Sequence, residues 1–280
     1  MPHYVNAEAL LLDAELRADG LGHSKGILVV EGPDDKRVFA RHVRDPAQVL
    51  PAGGRKLLLS AHQKASDQQR SKMIFVTDCD YEVRRGNLKG APDLVITTLT
   101  DMESDLFSLG LSEVIVLQLV PQALESLEAC RRIAKRIKSD AEAISLPLGR
   151  LRMASQPLGV PLSLGEIRLN RYWDPKSRVM DLAKLVRSMH TKISDFATLA
   201  EWEEIVHRMP QDSGMCHGKD LVRAFSFLLK SNYGVDVTPE ELTRLIRSTL
   251  DAERMDNWDV IRRIRVWQGV NQRIVLAYGP

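Results

Sequence analysis

The chain has 280 residues, 39 Lys/Arg against 37 Asp/Glu for a net charge of +2, and 44% hydrophobic residues, the balance of a globular chain long enough to bury a sizeable core. No apolar run approaches the roughly 20 residues that a membrane-spanning helix needs, and three widely spaced cysteines, Cys79, Cys130 and Cys216, exclude both a disulfide framework and a cysteine-rich zinc site. The opening residues Met1 to Asn6 carry neither the basic flank nor the apolar stretch of a secretory signal, so the expected compartment is the cytoplasm.

Taken in chain order, Asn6 to Arg17 places Ala9, Leu10, Leu12 and Leu16 near a helical period and predicts a helix that Gly20 and Gly22 end. Ile27 to Val30 is an apolar strand that runs into Glu31-Gly32-Pro33-Asp34-Asp35, and a helix follows over 34–44 with Pro33 suited to its first turn. Val49-Leu50 predicts a second strand, Gly53-Gly54 a turn, and Lys56 to Gln69 a helix with Leu57, Leu58 and Ala61 at helical spacing. A third strand, 73–77, empties into Asp78-Cys79-Asp80, and after the basic stretch Glu82 to Gly90 the β-branched run 94–98 predicts a fourth. Strands alternating with helices imply a parallel sheet.

Beyond Ser112 the pattern turns helical, through Val114 to Val120 and then Glu125 to Ile144. Pro147, Gly149, Pro157, Gly159, Pro161 and Gly165 predict a loop or short β-excursion over 147–165. Helices are expected near 178–190, 196–208, 219–231, 239–250 and 256–265. Thr238-Pro239-Glu240-Glu241 has the order of a capping box with proline at the first helical position. The expected division is a core over 1–120 and a mainly helical region over 121–280.

The acids carry the chemistry. In an open α/β sheet a ligand sits beyond the carboxyl ends of the strands, where Glu31, Asp78 and Asp80 fall. Alternation along an extended chain points 78 and 80 to one side, so both can reach one cation. Hard oxygen ligands favour Mg²⁺ or Mn²⁺, and Asp35 and Glu103 are further candidate ligands. Against this stands a plainer reading, in which acids ahead of a helix favour the positive end of its dipole. The seven histidines show no zinc-ligand spacing.

Basic residues suit a polyanion. Residues 1–120 carry 14 Lys/Arg against 17 Asp/Glu, and 121–280 carry 25 against 20. Arg84 and Arg85 follow the Asp-x-Asp, and Arg132 and Arg136 belong to a basic helical run. Arg171 lies beside Tyr172 and Trp173, and Lys219 opens a helix after His217-Gly218. These are candidate nucleic-acid contacts, through phosphates at a helix start and bases stacked on aromatic rings.

Glu31-Gly32 after the first strand and Asp78-Cys79-Asp80 after a later one resemble the signature of the TOPRIM fold. More narrowly, Glu31-Gly32-Pro33-Asp34-Asp35, Asp78-Cys79-Asp80, Thr100 to Asp105 and His217-Gly218-Lys219-Asp220-Leu221 resemble, in order, the motifs of the TOPRIM-like DUF4435 family over roughly 25–270. Glu103 matches that family's glutamate, and Ser104 stands where it has an amide. The resemblance implies a TOPRIM-like parallel sheet flanked by helices with a mostly helical C-terminal region. It also implies a Mg²⁺-dependent endonuclease, with Glu31 both ligand and acid/base; one ion and a basic side chain can share the work of two ions, and Lys219 and Arg84 are the candidates for that catalytic cation. The effector of the two-gene PARIS anti-phage system is similar, which implies RNA such as tRNA as substrate, release from an ABC-type ATPase, and a homodimer. The chain has no Gly-x-x-x-x-Gly-Lys-[Ser/Thr] loop, so such an ATPase would be a separate chain. Two rivals are a haloacid-dehalogenase-type phosphatase, whose Asp-x-Asp belongs on the first strand rather than the third, and a non-catalytic TOPRIM-like module that binds a partner or nucleotide.

Overall fold

A computed structural model describes residues 4–160 and 162–277; Pro161, one of the predicted breakers, lies outside them. The chain forms two compact units, one of residues 1–102 with 250–280 and the other of 103–249.

The first unit opens with α1 (Ala7–Leu21), β1 (Ile27–Val30), α2 (Pro33–Phe39), β2 (Val49–Pro51), α3 (Arg55–Lys64), α4 (Asp67–Arg70), β3 (Met73–Thr77) and β4 (Leu94–Ile96). The strands form a parallel sheet in the order β2-β1-β3-β4, with Leu28 opposite Val49 and Ile74. All four strands are buried along their length, as expected when helices cover both faces. Ile27, Val29, Leu50 and Phe75 pack with Leu10, Leu11, Ala14 and Ala18 of α1 and Leu58 and Ala61 of α3. The buried stripe of α1 therefore differs from the one predicted: Leu12 and Leu16 are 58% and 63% exposed. The helix predicted over 56–69 is two helices, because Ser66 accepts the N–H of Gln69 at 3.3 Å and starts α4 afresh. The helix predicted over 34–44 stops at Phe39, although Val43 is still buried.

The second unit holds α5 (Met102–Ser108) from its second residue, α6 (Leu111–Leu119), α7 (Leu127–Ser155), the hairpin β5 (Trp173–Asp174) and β6 (Val179–Met180), α8 (Leu182–His190), α9 (Leu199–Arg208), α10 (Gly218–Tyr233) and α11 (Pro239–Ser248). Its axis is the pair α7 and α10. The loop predicted from residue 147 is instead the last two turns of α7, with Pro147 inside the helix. A proline there costs roughly 3 kcal/mol, which burial of Ile144, Pro147, Leu148, Leu151 and Ala154 offsets. The Arg152 guanidinium also grips the buried Asp220 of α10 at 3.0 and 3.2 Å. The capping box of α11 is present: Thr238 Oγ1 accepts the Glu241 N–H, and the Glu241 carboxylate accepts the Thr238 N–H at 2.9 Å.

Residues 250–280 return to the first unit with α12 (Ala252–Asn257) and α13 (Asp259–Asn271), so the expected division at 120/121 does not follow the compact units. The reason is packing. Val260, Ile261, Ile264 and Trp267 of α13 are buried, and the helix lies against β3 and β4. The tail then clips onto the start of β1, with Gly26 N–H donating to Ile274 C=O at 3.1 Å and Ile274 N–H to Ser24 C=O at 2.7 Å.

Asp93 is a buried acid of this unit held between two basic groups. It accepts Arg70 Nη1 at 2.7 Å and lies 3.2 Å from His62 Nε2, with its side chain 11% exposed. Burial by itself would raise this carboxyl, but the hydrogen bond and charge of His62 and the charge of Arg70 outweigh burial and hold it below the usual range. A depressed acid contributes stability that is present above its unfolded pKa and is lost as pH falls through its folded value. Asp93→Asn is therefore expected to cost about 2–3 kcal/mol at neutral pH, with the difference from wild type shrinking as the pH is lowered. Thermal melts across a pH series check this, and a pH-independent difference would contradict it.

Candidate metal centre

The carboxyl ends of β1 and β3 come together by simple chain geometry, since neighbouring parallel strands deliver their following residues to one edge. At the end of β1, Gly53 and Gly54 both donate their N–H groups to the Glu31 carbonyl, at 3.1 and 2.9 Å. Both glycines have φ in the left-handed region, +89° and +131°, which a side chain would strain. The backbone of Glu31 is thus pinned between β1 and β2. Its carboxylate reaches across to β3, where Oε1 accepts from Thr77 Oγ1 at 2.5 Å and from the Asp78 N–H at 2.8 Å.

Asp78 is the centre of the cluster. Its Oδ1 accepts the Met102 N–H at 2.9 Å. Burial first, and then the negative charges of Asp101, Glu31, Asp35 and Asp80, push its carboxyl well above the usual range. Asp80 and Tyr81 both have positive φ, 43° and 68°, an unusual pair for residues with side chains and a form of stored strain. The turn is held by Asp80 N–H donating to the Thr100 carbonyl at 2.7 Å and by Arg55 Nη1 on Asp80 Oδ2 at 2.7 Å. Cys79, between Asp78 and Asp80, is buried, its N–H donating to Thr97 Oγ1 at 2.9 Å and its thiol pushed up by burial.

Of the predicted ligands, Glu31, Asp35, Asp78 and Asp80 fall in one carboxylate cluster. Asp35 also serves its helix, accepting the Gly32 N–H at 2.8 Å. Glu103 belongs to the second unit, where it pairs with Arg247 at 3.0 Å. Lys219 is exposed in the first turn of α10, Arg132 and Arg136 lie on the exposed face of α7, and Arg171 is exposed beside the hairpin. Arg84 and Arg85 are exposed on the loop that leaves the acidic turn.

Two residues of the site escaped the sequence reading as site members. Asp101 is buried and its charge acts most strongly of the four on Asp78; its place just ahead of α5 reads equally well as that of a helix cap. Arg55, first residue of α3, faces Asp80 across 25 positions of chain. The only signal for it was its place after Gly53-Gly54 at a strand end.

Among the described residues, no three His, Cys, Asp or Glu side chains converge in metal-binding geometry. The carboxylates instead accept from N–H, O–H and guanidinium donors. The donor set nonetheless fits a hard divalent cation: it is all oxygen, it gathers four carboxyl groups, those of Asp101, Glu31, Asp35 and Asp80, near Asp78, and the neighbouring Cys79 is buried in the core. Compared with protein-family models and with curated proteins, the chain matches none. Among the described residues no helix is long and apolar enough to cross a membrane.

Proposed function

We propose that the chain is a Mg²⁺- or Mn²⁺-dependent nuclease of TOPRIM type that hydrolyses phosphodiester bonds of nucleic acid, RNA being the favoured substrate. The observation that carries this reading is Asp78: a half-buried carboxyl just past the end of β3, kept among four further carboxylates at a cost in repulsion. Groups held against their own repulsion are characteristic of functional sites.

Glu31, Asp78 and Asp80 would hold the cation, with Asp35 and Asp101 close behind. The bound ion would supply Lewis acidity towards water and the leaving oxygen. Glu31 would act as the acid/base, and its fixed Oε1 holds the carboxylate in one orientation for taking and returning a proton. Arg55 restrains Asp80 and keeps a positive charge at the same turn, where it opposes the charge that builds on a phosphate. The same reading includes the role that the resemblance implies, a toxic effector of phage defence held by a separate ABC-type ATPase.

The test is incubation of the purified protein with tRNA, single-stranded RNA and duplex DNA in Mg²⁺, Mn²⁺ or EDTA. Cutting is expected with either metal and none with EDTA. Intact substrates in every metal-containing reaction would leave a binding module in place of the nuclease.

A further inference from the structure

The loop that leaves the acidic turn lines a cavity. Glu82 N–H donates to the Cys79 carbonyl at 2.8 Å, and the loop doubles back so that Asn87 and Leu88 N–H groups donate to the Glu82 carbonyl at 2.9 and 3.3 Å. Between this loop, the end of β4 and α13 lies a cavity of about 410 Å³, within the roughly 300–1,000 Å³ of small-ligand sites.

Val83, Leu88 and Ile96 give it apolar walls, and Lys89 and Arg263 bring positive charge to it. Asp259 is the opposing charge. It lies 3.3 Å from both Arg263 and Arg262, so two guanidinium groups share it, whereas Lys89 makes no ion pair among the described residues. The lining is therefore positive overall. Thr97 forms part of the wall, and its Oγ1 is the acceptor for Cys79 N–H, so one hydrogen bond joins the cavity to the residue between Asp78 and Asp80. Arg84 and Arg85 are exposed on the same loop, Arg85 lying 3.7 Å from the Glu82 carboxylate.

We propose that this cavity receives one nucleotide of a nucleic-acid strand next to the bond being cut. The apolar walls take the faces of the base, Lys89 and Arg263 take a phosphate, and Arg84 and Arg85 follow the backbone as it leaves. An apolar slot with a cationic rim suits a base joined to a phosphate better than it suits a sugar or a bare anion. The arginines beyond the rim favour a strand over a free mononucleotide. The identity of the ligand rests on the nuclease reading.

The experiment measures binding without cleavage. A short fluorescein-labelled single-stranded RNA is titrated in EDTA with wild type, Val83→Trp, Lys89→Glu and Arg263→Ala, and AMP is the competitor. Val83 and Lys89 are exposed, so those two variants should keep the fold, which circular-dichroism melts check. Val83→Trp blocks the cavity and Lys89→Glu reverses its free charge; each is expected to weaken RNA binding about tenfold or more, with AMP a much weaker ligand than RNA. Wild-type affinity in both variants, or no RNA binding by wild type, overturns the proposal. AMP binding as tightly as RNA overturns the assignment to a strand. Lost RNA binding in the variants of a protein that cuts nothing in Mg²⁺ would sink the nuclease reading and keep the cavity. Metal-dependent cutting that the variants retain in full would do the reverse.

Discussion

Asp78→Asn is expected to lower metal-dependent cleavage by about 1,000-fold or more, a loss of about 4 kcal/mol in transition-state stabilisation, and to raise the melting temperature measured in EDTA. Asparagine keeps the shape, and its Oδ1 can still accept the Met102 N–H that Asp78 accepts at 2.9 Å. What disappears is one negative charge among Asp101, Glu31, Asp35 and Asp80. Relief of that repulsion should stabilise the fold by about 1–2 kcal/mol, the usual scale of trade-offs between stability and activity. Because burial and these neighbours raise the Asp78 carboxyl, the folded protein gives up this proton at a higher pH than the unfolded chain does. Its unfavourable contribution therefore grows as pH rises from the ordinary carboxylate range through the raised folded value, and vanishes at lower pH. The gain from Asp78→Asn should accordingly be largest at neutral pH and close as the pH falls. Undiminished cleavage would remove Asp78 from the reaction. A lower melting temperature together with lost cleavage would make its role structural.

Trp258→Ala is expected to cost about 3–5 kcal/mol, as truncations of buried aromatic residues do. Trp258 is 2% exposed and stacks on Phe39, with ring centroids 5.5 Å apart and planes within 12°. Phe39 ends the helix that follows Glu31, so this stack joins the returning C-terminal segment to the element that begins at the acidic turn. The same segment comes close at Gly26, where a Cβ would lie 2.9 Å from the Trp267 ring and 3.0 Å from Val275. By contrast Val270→Ala, at a position 78% exposed on α13, should change stability by no more than about 0.5 kcal/mol. Denaturant unfolding of both variants makes the comparison. A cost below about 1 kcal/mol for Trp258→Ala would show that residues 250–280 are not integral to the first unit.

Several features were legible in the chain itself, because they depend on neighbours in sequence. β1 and β3 are short apolar runs bounded by turn residues, and the structure has them at 27–30 and 73–77. The capping box at Thr238 is likewise a local pattern of hydroxyl, proline and glutamate, and it forms as written. Glu31, Asp78 and Asp80 were legible as a group for a related reason, since parallel strands discharge at one edge and the acids follow the strands directly.

What tertiary structure decided were the places where burial outweighs local preference. Pro147 reads as a helix breaker, yet α7 continues through it because its buried face against α10 is worth more than the proline costs. Ala9, Leu10, Leu12 and Leu16 mark the period of α1, yet the folded helix turns Leu10, Leu11, Ala14 and Ala18 inward and leaves Leu12 and Leu16 exposed. The return of 250–280 to the first unit, the pairing of Arg55 with Asp80, and the charge of Asp101 on Asp78 all join residues 23 or more positions apart. Periodicity and motif spacing carry no record of such partners. Only the folded chain brings them within reach of one another.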